Sequence, residues 1–355
     1  MTLGLSLVST ERALPRPARN ARQGWATRAA CIITLTGEDG ARGSGEASPL
    51  PGFSPDSLSD CQAALSALDT RNLPSRLEPG QSIAEALASV SGRLPASLPA
   101  ARSALECALL DLWARAAGKP AWVLIGAPNQ SAPAPRTVAA LLQGEPESAC
   151  EQAQAAYARG QRCFKLKVGR PHSLPRELAA ARQLRAELGP HVRLRLDANQ
   201  SFSAEQARAC LLQFAALNIE FIEEPCTPYD LACVPDLPLP LALDESLVTL
   251  ASTALPLRVR ALVLKPGLLG GVSACIAWAE AARRIGAEVI VSHTFDGPLG
   301  LMLSAALALS IGSETFAQGL DLHGAGLEGL ALPGYSHGQV QAWSAPGLGA
   351  LELAP

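Results

Sequence analysis

From about residue 136 to residue 321, short apolar runs alternate along the chain with longer amphipathic stretches. The runs have the length and the branched residues of β-strands, and the stretches between them have the period of helices. Repeated β-α units of this length predict parallel strands, because crossover helices return the chain to the same end of a sheet. The runs are residues 137–142, 163–169, 192–199, 220–225, 241–246, 261–267, 287–293 and 314–321.

Eight such runs predict an α/β fold with a barrel of the TIM type, although the segment is shorter than the roughly 200–250 residues usual for that barrel. A doubly wound sheet is the alternative, and it would usually carry a glycine-rich turn after its first strand. No GxGxxG pattern follows residues 137–142. Before this segment, strand-like runs and a strong helical pattern at residues 97–117 predict a separate α+β domain.

The overall composition argues against several classes of function. The 355 residues carry 29 basic and 32 acidic side chains, so the near-neutral charge gives no electrostatic footprint for nucleic acid. No apolar run approaches the roughly 20 residues that a membrane helix needs, and no signal peptide is evident. The nine cysteines form no CxxC pair and no disulfide framework, which favours reduced thiols in the cytoplasm. The sequence leaves the oligomeric state open.

Charged residues lie near the C-terminal ends of five consecutive strand candidates. Functional groups of a barrel collect at these ends, so the side chains should share one mouth. Only four of the 29 basic residues are lysines, and three of the four fall in this pattern. In chain order, the charged residues are Lys165 and Lys167, Arg195 and Asp197, Glu223 and Glu224, Asp244 and Glu245, and Lys265.

Three carboxylates that converge from adjacent strands would repel one another unless a cation lay among them. Oxygen ligands favour a hard metal ion, Mg²⁺ above all, with Mn²⁺ as the alternative. A lysine beside such an ion has a lowered pKa and can act as a general base near pH 7, which an arginine cannot. The pattern therefore predicts a small-molecule carboxylate as substrate, removal of the proton α to its carboxylate, and an enediolate stabilised by the metal.

Each motif also has a simpler structural interpretation. A single Asp after a strand is usually a helix cap or a turn residue, and a Glu-Glu-Pro segment can be a solvated strand end. Two lysines at i and i+2 share one face of a strand, however, and in a barrel that face is either the crowded interior or covered by helices. Five motifs in order on five consecutive strands favour a functional site over five separate coincidences.

The same residues resemble the motifs of the enolase superfamily, in its muconate-lactonizing subgroup. Within it, the sequence is most similar to the o-succinylbenzoate synthase family, through residues 45–54, 194–199 and 223–226. The resemblance implies a capping domain at residues 1–130, a modified (β/α)7β barrel at 131–325 and a C-terminal segment at 326–355 that returns to the cap. The matching motifs are Lys165-Leu-Lys167, Asp197-Ala-Asn199, Ile222-Glu223-Glu224-Pro225, Asp244-Glu245-Ser246 and Lys265-Pro266.

The resemblance also implies roles for individual residues. Lys167 would abstract the proton and then protonate the departing hydroxyl group, and Lys265 would stabilise the enediolate from the other face. Lys165 would assist Lys167 and approach the substrate carboxylate. The residues that would bind Mg²⁺ are Asp197, Glu223 and Asp244. The residues that would bind substrate are Arg195, Asn199, Ser292, His293, Thr294, Pro51 and Phe53.

The implied reaction is the syn-dehydration of 2-succinyl-6-hydroxy-2,4-cyclohexadiene-1-carboxylate to 2-succinylbenzoate, a step of menaquinone biosynthesis. Ser44 stands where the family often has tryptophan, and residues 291–298 differ from the serine-rich loop expected there. His293 is equally consistent with carboxylate binding and with a satisfied loop histidine. The basic segment 15–24 is either a lid over the mouth or a flexible loop.

Two other functions stay open at this point. An N-succinylamino acid racemase or a cycloisomerase would keep the same site, but racemisation requires proton exchange at both Lys167 and Lys265. A non-catalytic binding protein on the same scaffold would not explain the complete set of acids and lysines. A dipeptide epimerase is disfavoured, because the segment Asp321-Leu322-His323 lacks the paired acids expected of that relative.

Overall fold

Seven parallel strands form the central sheet of the structure, a computed structural model that describes residues 2–19, 23–126, 131–234, 236–253, 255–256, 258–322, 326–327 and 330–349. Their order across the sheet is β11-β10-β9-β8-β7-β6-β5, so neighbours in the sheet follow one another along the chain. The strands are β5 (Ala140–Leu142), β6 (Cys163–Lys167), β7 (Arg193–Asp197), β8 (Ile219–Glu223), β9 (Leu241–Leu243), β10 (Val259–Leu264) and β11 (Glu288–Val291).

An N-terminal domain, here called the cap, precedes this sheet. Its three antiparallel strands pair in the order β1-β2-β3, and its longest helix, α3, packs against β3. The strands are β1 (Gly4–Arg19), β2 (Gly24–Thr36) and β3 (Arg42–Ala47), and the helices are α1 (Leu58–Ser66), α2 (Ile83–Ser91), α3 (Pro99–Ala116) and α4 (Ala121–Ile125). The predicted α+β cap and its helix at 97–117 are therefore confirmed, with α3 ending within a residue of the prediction.

The sheet curls, and residues 318 and 319 bring its two edges together. Gln318 forms a parallel bridge with Val138, and Gly319 forms one with Ser292, beyond β11. The expected eighth strand at 314–321 is thus reduced to these two isolated bridges. The first predicted strand, 137–142, is also interrupted, and divides into β4 (Arg136–Thr137) and β5. The modified α/β barrel is confirmed, while its closing strand is much shorter than the sequence suggested.

Helices cover the outside of the barrel and connect its strands. Helix α11 is apolar on every side, and it is buried because it contacts both β11 of the barrel and β3 of the cap. None of the helices in the described residues combines the length and apolar character that a membrane crossing requires. The main helices are α5 (Ala149–Ala158), α6 (Leu174–Leu188), α7 (Ala204–Leu212), α8 (Pro228–Ala232), α9 (Pro266–Leu269), α10 (Val272–Ile285) and α11 (Pro298–Ile311).

The chain after the barrel contacts both domains. Strands β12 (Tyr335–Ser336) and β13 (Gln339–Val340) form a small sheet with β4. Beyond them, the amide of Leu348 donates to Asp111 of α3 at 2.8 Å. The basic segment 15–24 begins as part of β1 rather than as a loop, and residues 20–22, like the predicted-motif residue His323, lie outside the described residues.

Candidate active site

The register of the parallel sheet brings the charged strand ends to one level. Lys167 on β6 pairs with Asp197 on β7, and Asp197 in turn pairs with Glu223 on β8. Glu223 also pairs with Ala242, so Asp244 lies just beyond this level on the next strand. Because side chains alternate along a strand, these residues point to one side of the sheet, which is the barrel interior.

Each of the three acids is bonded to a lysine ammonium group. Lys167 Nζ donates to Asp197 Oδ2 at 2.6 Å, and Lys165 Nζ lies 3.1 Å from the same oxygen. Lys165 also donates to both carboxylate oxygens of Glu223, at 3.0 and 3.2 Å. Lys265, which directly follows β10, donates in the same way to Asp244. All the acids are fully buried, so water screens these pairs little.

Burial and mutual repulsion determine the pKa values of these acids. Burial alone would raise the pKa of Asp197, but Lys167 and Lys165 outweigh it and hold that pKa below its usual value. For Glu223, burial and the charge of Asp197 raise the pKa even though Lys165 opposes them. Burial raises the pKa of Asp244 as well. The site therefore has room for more positive charge than the lysines supply.

The acids in turn raise the pKa values of two lysines. Burial would lower the pKa of Lys165, but the charges of Glu223 and Asp197 outweigh it and raise that pKa. Burial would lower the pKa of Lys265 as well, but the negative charge of Asp244 outweighs it and raises that pKa. As placed, both side chains are ammonium ions at neutral pH. The lowered lysine pKa that the sequence predicted would require a bound metal ion, because its positive charge would offset the negative charge of the carboxylates.

The donor set of the site suits a hard divalent cation. As the side chains stand, no three His, Cys, Asp or Glu residues in the described part of the chain are gathered around one metal position. The reason is that the three acids turn toward the lysines. They are nevertheless carboxylates on adjacent strands, which is the ligand type that Mg²⁺ prefers. Asp244 Oδ1 is buried and has no hydrogen-bond partner, so its bonding capacity is unused.

A second layer of residues holds the strand ends in place. Glu224 accepts from the backbone amides of Asp244 and Ser246, at 2.6 and 2.9 Å, and from the Ser246 hydroxyl at 2.6 Å. Gln200 Nε2 donates at 3.0 Å to Oε2, the oxygen that also accepts from the Ser246 hydroxyl. Glu224, Asn199 and Gln200 all have φ between 44° and 58°, in the left-handed region that costs non-glycine residues energy. The chain thus turns sharply after the level of the acids.

Arg195 lies beneath this layer, at the floor of the pocket. It is 2% exposed, and its guanidinium group donates to Glu220 at 2.6 Å and to the carbonyl of Ala317 at 2.7 Å. The group also stacks over the ring of Phe221, at 4.6 Å from the centroid. Nη2 is buried without a hydrogen-bond partner. The Nε and Nη1 donors of Arg195 are therefore used within the barrel, and Nη2 is not.

A pocket opens above the site between the barrel and the cap. Asp197 and Asp244 lie behind the lysines rather than at its wall, and Pro51 is exposed to one side, where its carbonyl accepts from Trp25 Nε1 at 2.9 Å. The other residues predicted from the sequence line the pocket. They are Lys165, Lys167, Lys265, Glu223, Arg195, Asn199, Ser292, His293, Thr294 and Phe53.

Sequence reasoning missed most of the apolar wall, and it named Arg19 and Asp321 only as parts of the segments 15–24 and 321–323, not as substrate-binding residues. Trp25, Leu50 and Phe295 form an apolar cluster with Phe53 above the pocket. Lys265 Nζ lies 5.1 Å from the centroid of the Phe53 ring, within the range of a cation–π contact. Arg19 and Asp321 also line the pocket. Nothing in the local pattern distinguishes the cap residues, because only the folded structure brings them to the barrel.

His293 lies at the pocket wall, and its surroundings fix its protonation state and tautomer. Burial lowers its pKa to about 4, so the ring is neutral at pH 7. Its Nδ1 accepts from the amide of Phe295 at 3.0 Å, which leaves the proton on Nε2. The Nδ1 atom is thus satisfied within the loop, and the Nε2–H group is a donor available to a ligand.

Two family models together match most of the chain. Residues 3–126 match the mandelate racemase / muconate lactonizing enzyme N-terminal domain. Residues 148–351 match the family described as enolase C-terminal domain-like. The first match covers the cap, and the second covers most of the barrel and the chain that follows it.

Curated relatives with different activities are similar over most of this chain. The o-succinylbenzoate synthase of Enterobacter sp. (strain 638) is 31% identical over 295 residues, which are 80% of each chain. The L-Ala-D/L-Glu epimerase of Bacillus subtilis is 28% identical over 314 residues, which are 84% of this chain and 82% of the relative.

Solved structures show the same fold at lower identity. A dipeptide epimerase from Methylococcus capsulatus, complexed with Mg and the dipeptide L-Arg-D-Lys, has a TM-score of 0.81 and 24% identity, and the match covers 98% of this chain and 99% of that one. The N-succinyl Arg/Lys racemase from Bacillus cereus has a TM-score of 0.81 and 20% identity, over 98% and 95% of the two chains.

Proposed function

This chain belongs to the enolase superfamily, in the family of mandelate racemase and muconate lactonizing enzyme, and we propose that it is an o-succinylbenzoate synthase. The proposed reaction is the Mg²⁺-dependent syn-dehydration of 2-succinyl-6-hydroxy-2,4-cyclohexadiene-1-carboxylate to 2-succinylbenzoate. The observation that carries its general chemistry, removal of a proton next to a carboxylate, is the arrangement of Lys167 and Lys265. Their strands, β6 and β10, flank the three acid-bearing strands β7, β8 and β9 in the sheet.

The choice of dehydration is supported by the relatives and by the pocket. Several o-succinylbenzoate synthases are similar to this chain at 29–33% identity, and that of Citrobacter koseri is 32% identical over 80% of each chain. The pocket wall above the lysines is apolar and partly aromatic. Such a wall suits the six-membered ring of the proposed substrate, whose charged carboxylate would lie toward the lysines.

Lys167 is proposed to act as the base. It would take the ring proton on the carbon that bears the carboxylate, and would return a proton to the hydroxyl group leaving from the neighbouring carbon. The C–H and C–O bonds break, a ring double bond forms, and water departs. The product ring is aromatic, so the elimination is strongly downhill and requires mainly correct positioning.

Lys265 and Lys165 are proposed to act as cations. Both have a raised pKa as placed, so each can stabilise negative charge on the substrate carboxylate without losing its own proton. Asp197, Glu223 and Asp244 would hold the metal ion. When bound, Mg²⁺ would offset the charge of the three acids and stabilise the negative charge that develops on the substrate.

A direct dehydration assay tests the proposal. The purified protein should convert the cyclohexadiene carboxylate in the presence of Mg²⁺ and should stop when the metal is chelated. Lys167→Ala should lower kcat by about 10²–10⁴-fold, the usual contribution of a positioned general base. Arg71→Ala, at an exposed site in the cap, is the matched control and should keep full activity. A fully active Lys167→Ala variant would reject the mechanism.

Racemisation or epimerisation at the same site is the second candidate. Asp321 favours its dipeptide form, because it lines the pocket and a carboxylate there suits the ammonium group of a dipeptide, which an N-succinylamino acid lacks at its α-nitrogen. Both of its oxygens already accept, however, from the amide of Leu141 at 3.0 Å and from Gln161 at 3.4 Å. Exchange of solvent deuterium into an N-succinylamino acid or a dipeptide, lost in Lys265→Ala, would favour this candidate. The absence of both exchange and dehydration, with no Mg²⁺ binding, would point to a non-catalytic protein.

A further inference from the structure

Arg28, a buried residue of cap strand β2, connects two neighbouring loops that both line the pocket. One is the cap loop, defined as residues 48–53 after β3, which contributes Leu50 and Phe53 to the pocket. The other is the seventh-strand loop, defined as residues 292–297 after β11, which contributes His293 and its neighbours. Arg28 is 3% exposed and does not itself line the pocket.

The guanidinium group of Arg28 bonds to both loops at once. Toward the cap loop, Nη1 donates to the carbonyl of Pro49 at 3.0 Å, and Nη2 donates to the carbonyl and hydroxyl oxygens of Ser48, the latter at 2.7 Å. Toward the seventh-strand loop, Nε donates to the carbonyl of Phe295 at 3.2 Å, and Nη2 lies 3.9 Å from Asp296 Oδ1. Only a planar fork of several donors can make these contacts simultaneously.

Two further cap residues bond the seventh-strand loop from the same side. Arg12 Nη2 donates to the carbonyls of Phe295 and Asp296, at 2.7 and 3.0 Å. The buried carboxylate of Glu46 accepts from the amide of Gly297 at 2.6 Å and of Gly300 at 3.3 Å, at the start of α11. These contacts hold a backbone that is otherwise unfavourable, because Phe295 has φ +57°.

We propose that Arg28 is a positioning residue that sets the shape of the pocket wall, by fixing the cap loop and the seventh-strand loop relative to each other. The catalytic use of that pocket rests on the proposed function, but the bracing of the two loops does not. His293 and Phe295 then owe their positions to the cap. Glu46 has the narrower role, because it braces only the seventh-strand loop.

Hydrogen–deuterium exchange of the whole protein tests the bracing directly. Arg28→Lys keeps the charge and removes the fork, and it should speed amide exchange about tenfold or more in both loops, because local opening becomes easier. Glu46→Gln should speed exchange in the seventh-strand loop alone. Exchange in β7 should stay unchanged in both variants, which shows that the barrel is folded. Arg71→Lys, exposed in the cap, is the matched control.

The proposal is wrong if Arg28→Lys leaves either loop at the wild-type exchange rate while Glu46→Gln shows its expected effect. Should Arg28→Lys not fold, Asp296→Asn and Ser48→Ala each weaken one end of the brace, through the Asp296 ion pair and the Ser48 hydroxyl contact, and are read in the same way. In that case each should speed exchange in its own loop only.

Kinetics add a second measurement if the wild-type protein dehydrates the cyclohexadiene carboxylate. Arg28→Lys should then raise KM about tenfold and change kcat less than about threefold, because the pocket wall moves while the lysines do not. A tenfold loss in kcat with no change in KM would contradict a positioning role. A wild-type protein without turnover would reject the proposed function and leave the exchange result to decide the role of Arg28.

Discussion

At the scale of single residues, the lysines were predictable from the sequence and most of the apolar pocket wall was not. Lysine is rare in this chain, and the two-residue period of a strand is enough to place Lys165 and Lys167 on one face. Trp25 and Arg19 reach the pocket only because the cap docks on the barrel. A long-range contact of that kind leaves no local periodicity in the sequence.

His293 gives a prediction about protonation. Because burial lowers its pKa to about 4, below the usual value near 6.5, the unfolded chain binds the proton more tightly. The stability that this neutral ring contributes is therefore complete above about pH 6.5 and is lost as the pH falls toward 4. NMR titration of the imidazole nitrogens should show one ring that stays neutral from pH 8 to pH 5.5.

The His293→Gln variant serves as the control for that titration. The signal assigned to the neutral ring should disappear in it, and its unfolding free energy should depend less on pH between 4 and 6.5. An inflection of the His293 signal between pH 6 and 7 would contradict the prediction and would mean that the ring is more hydrated than the structure indicates.

At the scale of elements, the strands that carry polar residues were predicted well and the closing strand was not. Strand β7 spans Arg193–Asp197, within the predicted run 192–199. The candidate at 314–321 forms only two bridges, because Gln318 uses its side chain to accept from the amide of Val291 at 2.7 Å. A glutamine that replaces ladder hydrogen bonds with side-chain bonds cannot be recognised from hydrophobic pattern alone.

The contact between β3 and α3 gives a prediction about stability. A Cβ atom at Gly45 would lie 2.0 Å from the carbonyl oxygen of Ala104, and neither backbone can yield easily. Gly45→Ala should therefore lower the free energy of unfolding by about 1–3 kcal/mol or more, as overpacking does. Urea denaturation measures this loss. Gly4→Ala, where the new atom meets only ordinary contacts at 3.6 Å, should cost far less, and equal losses would contradict the packing argument.

The turn after β9, residues 244–246, is held by Glu224 from the end of the neighbouring strand β8, and this contact gives a second prediction at this scale. Both carboxylate oxygens of Glu224 accept hydrogen bonds from N–H or O–H groups. In Glu224→Gln, the NH₂ group that replaces one oxygen is itself a donor and would face these donors without an acceptor. The variant should lose about 1–3 kcal/mol of stability, the cost of an unmet buried hydrogen bond. Calorimetry should also show weaker Mg²⁺ binding, because the same bonds hold Asp244 in place.

Glu205→Gln, at an exposed position in the first turn of α7, is the control for this variant and should leave both measurements unchanged. A Glu224→Gln protein with the stability loss but wild-type Mg²⁺ affinity would show that Glu224 supports the fold and not the acid at its side.

At the scale of the whole molecule, two buried acids of the cap dock it onto barrel helices. Glu46 accepts from amides at the start of α11, and Glu106 accepts from the amide of Ser273 at 2.9 Å at the start of α10. Both helices follow strands that end at the pocket, so their N-termini present positive dipole ends to the cap. Cap and barrel are therefore held together next to the site, where the shape of the pocket depends on both.

The pairing of three acids with three lysines predicts how the molecule responds to a metal ion. Because each acid already has a lysine partner, the protein should stay folded in a chelator while losing activity. Added Mg²⁺ should raise the melting temperature, since a ligand that binds only the folded state stabilises it by about 2.7 kcal/mol at 100 times its Kd. Differential scanning calorimetry across a Mg²⁺ series measures the shift. Asp244→Asn, which keeps the size of the side chain and removes its charge, should abolish most of it, and an equal shift in that variant would place the ion elsewhere.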